Sequence, residues 1–448
     1  MSERSAPVAE LAALIEEASG NVIPPGHYPF LAETARRRAA ALRLDGVGAY
    51  VTALGRGELT GEWSRLLPHV TVKESFLFRH PQQFAALAST IVPWLAAARA
   101  DRRSLTVWSA GCARGEEPAT LAIVLAEAAE LAGWEWRILA TDVDEEALAA
   151  ASSGCFGARA VSCVPVELRA RYLVARGDGY ELRPALAQRI EYRALNLVRA
   201  PVGLPSAAFD LVFLRNVLIY FRAEVQRLVA AAVAGVLAPH GRLFLGPAET
   251  LWQVSADLEP IDLGDCFCYA HAGERPARAN AAAMRTPAAG LSPPAGATLA
   301  PPLGEPAESE GTRERLAAAA RLLAAGRLDE AAAQVGTARL ADPSDPGVHA
   351  LEGFLHDVSG RAQLAVAAYR AALFLDAGLF QVRLLLADAL RRLGHERRAE
   401  TEYREVLAAL VAGRADEVKA LAGLGWPDRS AASRRAREAL QGGSPPPP

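Results

Sequence analysis

The chain begins with short amphipathic helices and then changes to alternating strands and helices. Between residues 8 and 68, apolar positions recur every three to four residues in runs broken by Gly and Pro, which predicts a small helical N-terminal unit. From Leu105 onward, short β-rich runs alternate with helical stretches such as residues 116–132 and 223–238. The alternation predicts an α/β fold with a largely parallel, doubly wound sheet that binds ligands at the carboxyl ends of its strands.

Two segments interrupt this pattern. Residues 155–188 contain two apolar runs separated by Gly177, Asp178 and Gly179, which predicts a β-hairpin in a small antiparallel insertion. Residues 273–311 are rich in Ala, Pro and Gly without an apolar period, as in a linker. We therefore expect a helical domain at residues 1–70, a sheet domain at 71–272, and a separate part beyond the linker.

An internal repeat follows the linker. Small and aromatic residues recur at intervals of 34 positions: Gly326, Gly360 and Gly394; Ala331, Ala365 and Ala399; Tyr369 and Tyr403. This period is typical of tetratricopeptide repeats, in which small residues let paired helices approach closely. We predict an α-helical repeat solenoid over 312–410, then capping helices and a disordered tail over 411–448. The alternative is a chance alignment in an Ala-rich helical region.

Composition and charge narrow the class of protein. The 448 residues are 51% hydrophobic and 22% charged, which is typical of a globular protein, and the net charge of -3 gives no overall field for nucleic acid or an acidic membrane. The five cysteines form no CxxC pair, so neither a zinc site nor a disulfide framework is indicated. The N-terminus does not resemble a signal peptide, and no run reaches the roughly 20 apolar residues of a membrane span. We expect a cytoplasmic protein.

The first predicted strand ends in a Gly-containing turn, SAGCARGEEP. Gly111 and Gly115 lack side chains, so a cofactor can approach the backbone there. Glu116 and Glu117 open the following helix. Two carboxylates at this position would repel the pyrophosphate of a dinucleotide. The turn therefore favours a cofactor other than a dinucleotide, although two acidic residues at a helix N-terminus also fit simple complementation of the helix dipole.

Further polar residues follow two other predicted strands. Asp142 ends a strand beside the turn and is placed to accept hydrogen bonds from ribose hydroxyls, whereas Asp144 fits better as a helix N-cap. Arg215 and Asn216 interrupt an apolar strand, where either a binding site or a polar turn is expected. Tyr220 could line the same crevice or pack in the core.

The segment before the first strand, TVKESFLFR, combines Lys73, Ser75 and Arg79 with Phe76 and Phe78. The aromatic residues fit packing roles. Arg79 could pair with a carboxylate of the cofactor or substrate. The alternative role for Arg79 is a salt bridge on the protein surface.

The motifs TVKESFLFR, WSAGCARGEEP, ATDVD, NL and RNVLIYF, in this order, closely resemble the CheR family of bacterial chemotaxis receptor methyltransferases. The resemblance covers about residues 10–271. It implies transfer of a methyl group from S-adenosylmethionine to receptor glutamates. It also implies a set of cofactor contacts: Lys73, Ser75, Arg79, Glu117, Asp142, Asn196, Leu197, Asn216 and Val217. Lys73 and Ala119 depart from the family pattern, and Ser75 keeps the hydroxyl of the usual Thr.

The resemblance also implies roles and partners. Arg79 would orient a carboxylate, Tyr220 would line the methyl-transfer crevice, and the basic N-terminal helix would face the acidic cytoplasmic helices of a chemoreceptor through Arg36, Arg37, Arg38 and Arg43. The repeats would bind a further protein. A solvated helix face is the alternative for the arginines. For the whole chain, the alternatives are a cofactor-binding scaffold without transfer activity and a small-molecule or nucleic-acid methyltransferase.

Overall fold

A computed structural model describes residues 6–71, 73, 75–199, 203–247, 249–251, 254–264, 266–273, 310–342, 345–412 and 427–441. Contacts divide the chain into two compact units, residues 1–244 with 254–297 and residues 298–448 with 245–253. Almost all of the predicted linker, at 274–309, lies outside the described residues, as does the tail at 442–448. Within the described helices, none has both the length and the apolar content needed to cross a membrane.

The first unit begins with four helices, α1 (Ala6–Ser19), α2 (Tyr28–Ala41), α3 (Gly46–Gly55) and α4 (Glu62–Val70). Their apolar faces form a separate core that includes Leu11, Ile15, Leu31, Tyr50 and Leu66. The apolar pattern predicted the first three of these helices. The fourth is short and contains Pro68, so its period is weak.

The remaining elements of the first unit are α5 (Pro81–Ala86), α6 (Val92–Ala98), β1 (Ser104–Ala110), α7 (Glu116–Glu127), β2 (Glu135–Asp142), α8 (Glu145–Ser152), β3 (Cys155–Gly157), α9 (Val166–Tyr172), β4 (Leu173–Arg176), β5 (Gly179–Leu182), α10 (Pro184–Ala187), β6 (Ile190–Ala194), β7 (Phe209–Leu214), α11 (Ala223–Val236), β8 (Leu237–Leu245), β9 (Leu258–Asp262) and β10 (Phe267–His271). Short 3-10 turns lie at Leu197–Arg199 and Leu218–Tyr220.

Seven strands form the main sheet in the order β6-β2-β1-β7-β8-β10-β9. Strands β6, β2, β1 and β7 pair in parallel, with Val107 opposite both Ile138 and Leu211. Every residue of β7 is buried, as expected for a central parallel strand covered on both faces. The α/β fold prediction is confirmed. The antiparallel edge formed by β9 and β10 was not predicted, because short strands closing a sheet carry little periodic signal.

A second, three-stranded antiparallel sheet has the order β3-β5-β4. Strands β4 and β5 join through Gly177 and Asp178 alone, since Gly179 already pairs with Arg176. The predicted hairpin is therefore present with a two-residue turn.

The second unit contains α12 (Glu310–Ala324), α13 (Leu328–Ala341), α14 (Pro346–Val358), α15 (Ala362–Leu375), α16 (Phe380–Arg392), α17 (Glu396–Val411) and α18 (Arg429–Leu440). Three successive helix pairs are each joined by a turn in which Gly326, Gly360 or Gly394 has φ between 72° and 79°. A Cβ at these three positions would meet nothing within 4 Å, so the repeated glycine serves the left-handed turn rather than close helix approach.

A polar clamp recurs between successive pairs. Arg392 of α16 pairs with Asp357 of α14, and Tyr369 of α15 donates to the same carboxylate at 3.4 Å. One pair further on, Tyr403 of α17 donates to Asp388 of α16 at 2.6 Å, and Arg435 of α18 pairs with that Asp. Because Arg435 takes the place of Arg392, α18 supplies to the second clamp what α16 supplies to the first.

We expect Arg435→Ala to destabilise α16 and α18, because Asp388 is 1% exposed and would lose its counter-charge. Removing one partner of a largely buried pair costs about 1–3 kcal/mol. Hydrogen exchange of the α16 and α18 amides measures this loss directly. The control is Arg434→Ala, since Arg434 is exposed on the same helix. Equal exchange in the two variants would rule out the clamp.

Candidate active site

The turn after β1 is tied to the end of β2. The amides of Gly111 and Cys112 both donate to the carbonyl of Thr141, at 2.7 and 3.0 Å. Gly111 has φ +77, and a Cβ there would lie 2.5 Å from Cγ2 of Val217. The position therefore needs glycine both for its backbone conformation and for the space that Val217 fills.

Asp142, at the end of β2, ties the turn to the next loop through its carboxylate. Its Oδ2 accepts the amide of Ala113 at 2.8 Å, and its Oδ1 accepts the amide of Asp144 at 2.9 Å. Burial raises the pKa of Asp142, and the backbone amides oppose that rise. A carboxylate has about four acceptor positions, so Asp142 can also accept from a ligand hydroxyl.

Glu117, in the first turn of α7, accepts hydrogen bonds from Ser109 and Arg215. The hydroxyl of Ser109 donates to Oε1 at 2.7 Å, and the guanidinium of Arg215 donates to Oε2 at 3.2 Å. Arg215 is buried, donates also to the carbonyl of Arg79, and lies 5.1 Å from the ring centroid of Phe84. Arg215 thus joins α7, the end of β7 and the segment before α5.

Several non-glycine residues with left-handed backbone surround this cluster. Phe78, His80, Ala113 and Asn216 have φ between 47° and 62°. The side chain of Asn216 hydrogen-bonds to His80, whose pKa lies well below its ordinary value because of burial and the nearby Arg215 and Arg79. Strained backbone of this kind concentrates at functional sites, where surrounding contacts hold it.

Sequence reasoning placed Arg215 where a binding site or a polar turn is expected but assigned it no contact, and it did not include His80. The sequence signal for Arg215 was its place at the end of an apolar strand. No comparable pattern marked His80.

Lys73 and Ser75 contact acidic residues beside the cluster. Lys73 lies 2.8 Å from Oδ2 of Asp144, whose Oδ1 accepts the amide of Ala147 as the N-cap of α8. The N-cap prediction for Asp144 is confirmed. Ser75 hydrogen-bonds to Glu116, and burial raises the pKa of Glu116. In these contacts Lys73 and Ser75 position the first turns of α8 and α7.

The predicted contacts at Asn196, Leu197 and Tyr220 lie where the N-terminal helix meets the sheet. The side-chain Nδ2 of Asn196 donates to the carbonyl of Ala18 at 2.7 Å, and its Oδ1 accepts the backbone amide of Val198 at 3.0 Å. Leu197 is buried, and the carbonyl of Tyr220 accepts the amide of Val22 at 2.9 Å. These contacts fasten the end of α1 and the segment after it to the loops that follow β6 and β7.

The four basic residues of the α2 region differ in their surroundings. Nε and Nη2 of Arg38 donate to the two carboxylate oxygens of Glu62, each at 2.7 Å. The hydroxyl of Tyr50 donates to the same carboxylate at 2.9 Å. Burial alone would raise the pKa of Glu62, but these hydrogen bonds lower it. Arg38 is therefore part of the helical core, whereas Arg36 and Arg37 are exposed and Arg43 follows the helix end.

Comparison with known proteins places this site in a family. The family described as CheR methyltransferase, SAM binding domain, matches residues 73–264. A probable biofilm formation methyltransferase, WspC, from Pseudomonas putida KT2440 is 31% identical over 333 residues, which cover 70% of this chain and 78% of that protein. The chain belongs to the CheR methyltransferase family. The sequence resemblance is thereby confirmed.

Other relatives agree. A chemotaxis protein methyltransferase from Salmonella typhimurium LT2 is 31% identical over 241 residues, covering 53% of this chain and 81% of that protein. Among solved structures, a magnesium protoporphyrin IX methyltransferase from Synechocystis PCC 6803 with bound S-adenosylmethionine matches with a TM-score of 0.21 and 18% identity, over 37% of this chain and 57% of that chain. That match is too weak to carry an argument.

This CheR family member is an S-adenosylmethionine-dependent methyltransferase, and the residues present fit that cofactor. Asp142 offers acceptors at the carboxyl end of β2, and Gly111 keeps the turn after β1 free of a side chain. The assignment of individual contacts to the cofactor stays a prediction for Lys73, Ser75, Arg79, Glu117, Asp142, Asn196, Leu197, Asn216 and Val217.

We expect Asp142→Asn to weaken S-adenosylmethionine binding by about 10- to 100-fold, because an amide offers one acceptor oxygen where the carboxylate offers two. Titration calorimetry of the purified chain measures the affinity. Asp178→Asn makes the same chemical change at the exposed hairpin turn and should leave affinity unchanged. Unaltered affinity in Asp142→Asn would remove Asp142 from the cofactor site.

We expect Gly111→Ala to lower cofactor affinity and thermal stability together, because the new Cβ would displace Val217. Gly177→Ala separates the cost of backbone strain from the cost of the steric clash. Gly177 also has positive φ, but a Cβ there meets nothing within 4 Å. The clash should make Gly111→Ala less stable than Gly177→Ala by about 1–3 kcal/mol. Equal melting temperatures of the two variants would show that the Val217 side chain moves aside without a cost in stability.

Proposed function

We propose that this CheR family member transfers the methyl group of S-adenosylmethionine to glutamate side chains of a bacterial chemoreceptor, forming methyl esters. The observation that supports this best is the set of polar contacts at three neighbouring strand ends. Asp142 at the end of β2 holds the turn after β1 through the Ala113 amide, and Ser109 near the end of β1 and Arg215 after β7 both donate to Glu117. The curated relatives include proteins named as chemotaxis protein methyltransferases. A glutamate ester is the product that this reaction class would form.

The chemistry asks little of the protein beyond alignment. A glutamate side chain is ionised near neutral pH, so no residue has to remove a proton from it. S-adenosylmethionine supplies a methyl group on a positively charged sulfur. The protein's residues then hold the reacting groups in line and keep water away. In this proposal Asp142 accepts from ribose hydroxyls, Arg79 orients a carboxylate, and Tyr220 lines the crevice.

The helical N-terminal domain, residues 1–70, would bind the receptor's cytoplasmic helices. Arg36, Arg37 and Arg43 provide a local basic face on a chain of net charge -3. Such a face accelerates encounter with acidic helices and loses this effect as salt rises. Arg38 would support the face through its pair with Glu62.

The remaining domains would serve partner binding. In this proposal the methyltransferase domain spans 71–272, the linker 273–311 joins it to repeats at 312–410, and residues 411–448 supply capping helices and a tail. The three glycine-turn helix pairs and the recurring Asp–Tyr–Arg clamp support a tetratricopeptide array. Such arrays present extended surfaces to protein partners.

We expect the full chain to transfer labelled methyl from S-adenosylmethionine to a purified receptor cytoplasmic fragment, with a product that mild alkali releases as methanol. Esters hydrolyse in alkali, whereas methylated amines do not. A fragment in which the accepting glutamates are changed to glutamine should gain no label, and Asp142→Asn should lower the rate at limiting cofactor. Cofactor binding without transfer to any receptor fragment would instead favour a scaffold role.

A further inference from the structure

The end of the first helix crosses to the sheet of the same unit. We call residues 16–22 the α1 strap, which comprises the last turn of α1 and the residues directly after it. On one side, the amide of Val22 donates to the carbonyl of Tyr220 at 2.9 Å. On the other side, the carbonyl of Ala18 accepts Nδ2 of Asn196 at 2.7 Å. The strap therefore contacts both the loop after β6 and the loop after β7.

Gly20 allows the strap to lie directly on these two loops. The residue is buried and has a left-handed backbone with φ +79. A Cβ at this position would lie 2.6 Å from Cγ2 of Val198 and 3.2 Å from the ring of Phe221. The next residue, Asn21, forms an antiparallel bridge with Phe221. The position therefore requires glycine both for its backbone conformation and for close contact with each loop.

Hydrogen bonds within the strap hold its own shape. The amide of Gly20 donates to the carbonyl of Glu16 at 2.7 Å, and the hydroxyl of the buried Ser19 accepts the amide of Asn21 at 3.3 Å. Arg222 also donates to the carboxylate of Glu16 at 2.9 Å. The Arg222 side chain is 60% exposed, so this ion pair adds little to stability. The strap is therefore held by backbone and packing contacts rather than by charge.

The two loops lead from the strap to the predicted cofactor site. In the loop after β6, the amide of Leu195 donates to the carbonyl of Asp142 at 2.9 Å. In the loop after β7, the amide of Tyr220 donates to the carbonyl of Val217 at 3.1 Å. The side chain of Val217 fills the space beside Gly111. No residue of the strap is itself among the predicted cofactor contacts, so any effect on the cofactor has to pass through these loops.

We propose that the α1 strap is a positioning element for the cofactor site. It holds the loops after β6 and β7 in the conformation that binds S-adenosylmethionine, so the helical N-terminal unit and the cofactor site are coupled. Coupling of this kind is reciprocal, and bound cofactor therefore stabilises the strap in turn. The proposal rests on the predicted cofactor contacts at Asn196, Leu197 and Val217. It does not depend on a receptor glutamate being the methyl acceptor.

The first test compares two glycine variants of the full chain by titration calorimetry with S-adenosylhomocysteine. Gly20→Ala places a methyl group against Val198 and Phe221, and should weaken binding by about five- to tenfold because the loops have to move. Gly57→Ala is the control. Gly57 is exposed with φ +70, and a Cβ there meets nothing within 4 Å, so this variant carries the backbone strain without the clash. Its affinity should stay within about twofold of the unaltered chain.

A second substitution separates loss of position from loss of stability. Val198→Ala removes the methyl group that the Cβ of Gly20→Ala would meet most closely. The double variant, Gly20→Ala with Val198→Ala, should therefore bind within about threefold of Val198→Ala alone, as expected when two changes act through one contact. All affinities are compared at a temperature at which melting curves show each variant to be fully folded.

Hydrogen exchange tests the reciprocal effect in the unaltered chain. Saturating S-adenosylhomocysteine should slow exchange of the hydrogen-bonded Gly20 and Val22 amides by at least about fivefold. The Gly57 amide, which donates to the carbonyl of Leu54 at 3.0 Å, should exchange at the same rate with and without the ligand. A strap with only a structural role would show no such difference. This measurement needs no variant, so it decides the question even if Gly20→Ala does not fold.

Equal affinities of Gly20→Ala and Gly57→Ala, a double variant that binds no more tightly than Gly20→Ala, or unchanged exchange at Gly20 and Val22 would each overturn the proposal. None of these measurements uses methyl transfer. A chain that shows the coupling but methylates no receptor fragment would keep the strap and refute the proposed function. A chain that methylates receptors while its strap ignores the ligand would do the reverse.

Discussion

The carboxylate of Asp142 is the contact on which the rest of the site depends. By accepting the amides of Ala113 and Asp144, it joins the turn after β1 to the loop that opens α8. The same turn brings Gly111 against Val217 and therefore sets the position of the loop after β7. Its cost is a buried carboxyl whose pKa is raised, and backbone donors offset part of that cost. The predicted cofactor contact and the loop geometry would thus be coupled through one side chain.

Local patterns predicted much of the architecture. The parallel strands β1, β2, β6 and β7 and the helix α7 follow from apolar runs and turn residues, and the family resemblance rests on motifs at the ends of those strands. The repeat was visible from its 34-residue period. The small residues were expected to let paired helices approach closely, and the buried Ala331, Ala365 and Ala399 fit that role. The repeated glycines instead allow left-handed turns, at Gly326, Gly360 and Gly394.

Contacts between distant residues could not be predicted from pattern. Arg215 bonds to Glu117 across 98 positions, and Arg38 bonds to Glu62 across 24, so an arginine that reads as a surface residue becomes part of a core. The left-handed backbone at His80 and Asn216 leaves no mark in composition, since tertiary contacts hold it. Asn196 likewise bonds to Ala18, which only the folded chain brings near.

The most direct test of this account is the structure of the full chain with S-adenosylhomocysteine bound. The account predicts both ribose hydroxyls within hydrogen-bond distance of the Asp142 carboxylate, with the amides of Ala113 and Asp144 still bonded to the same group. A nucleoside bound away from the ends of β1 and β2, or an Asp142 that releases either amide to bind it, would contradict the account.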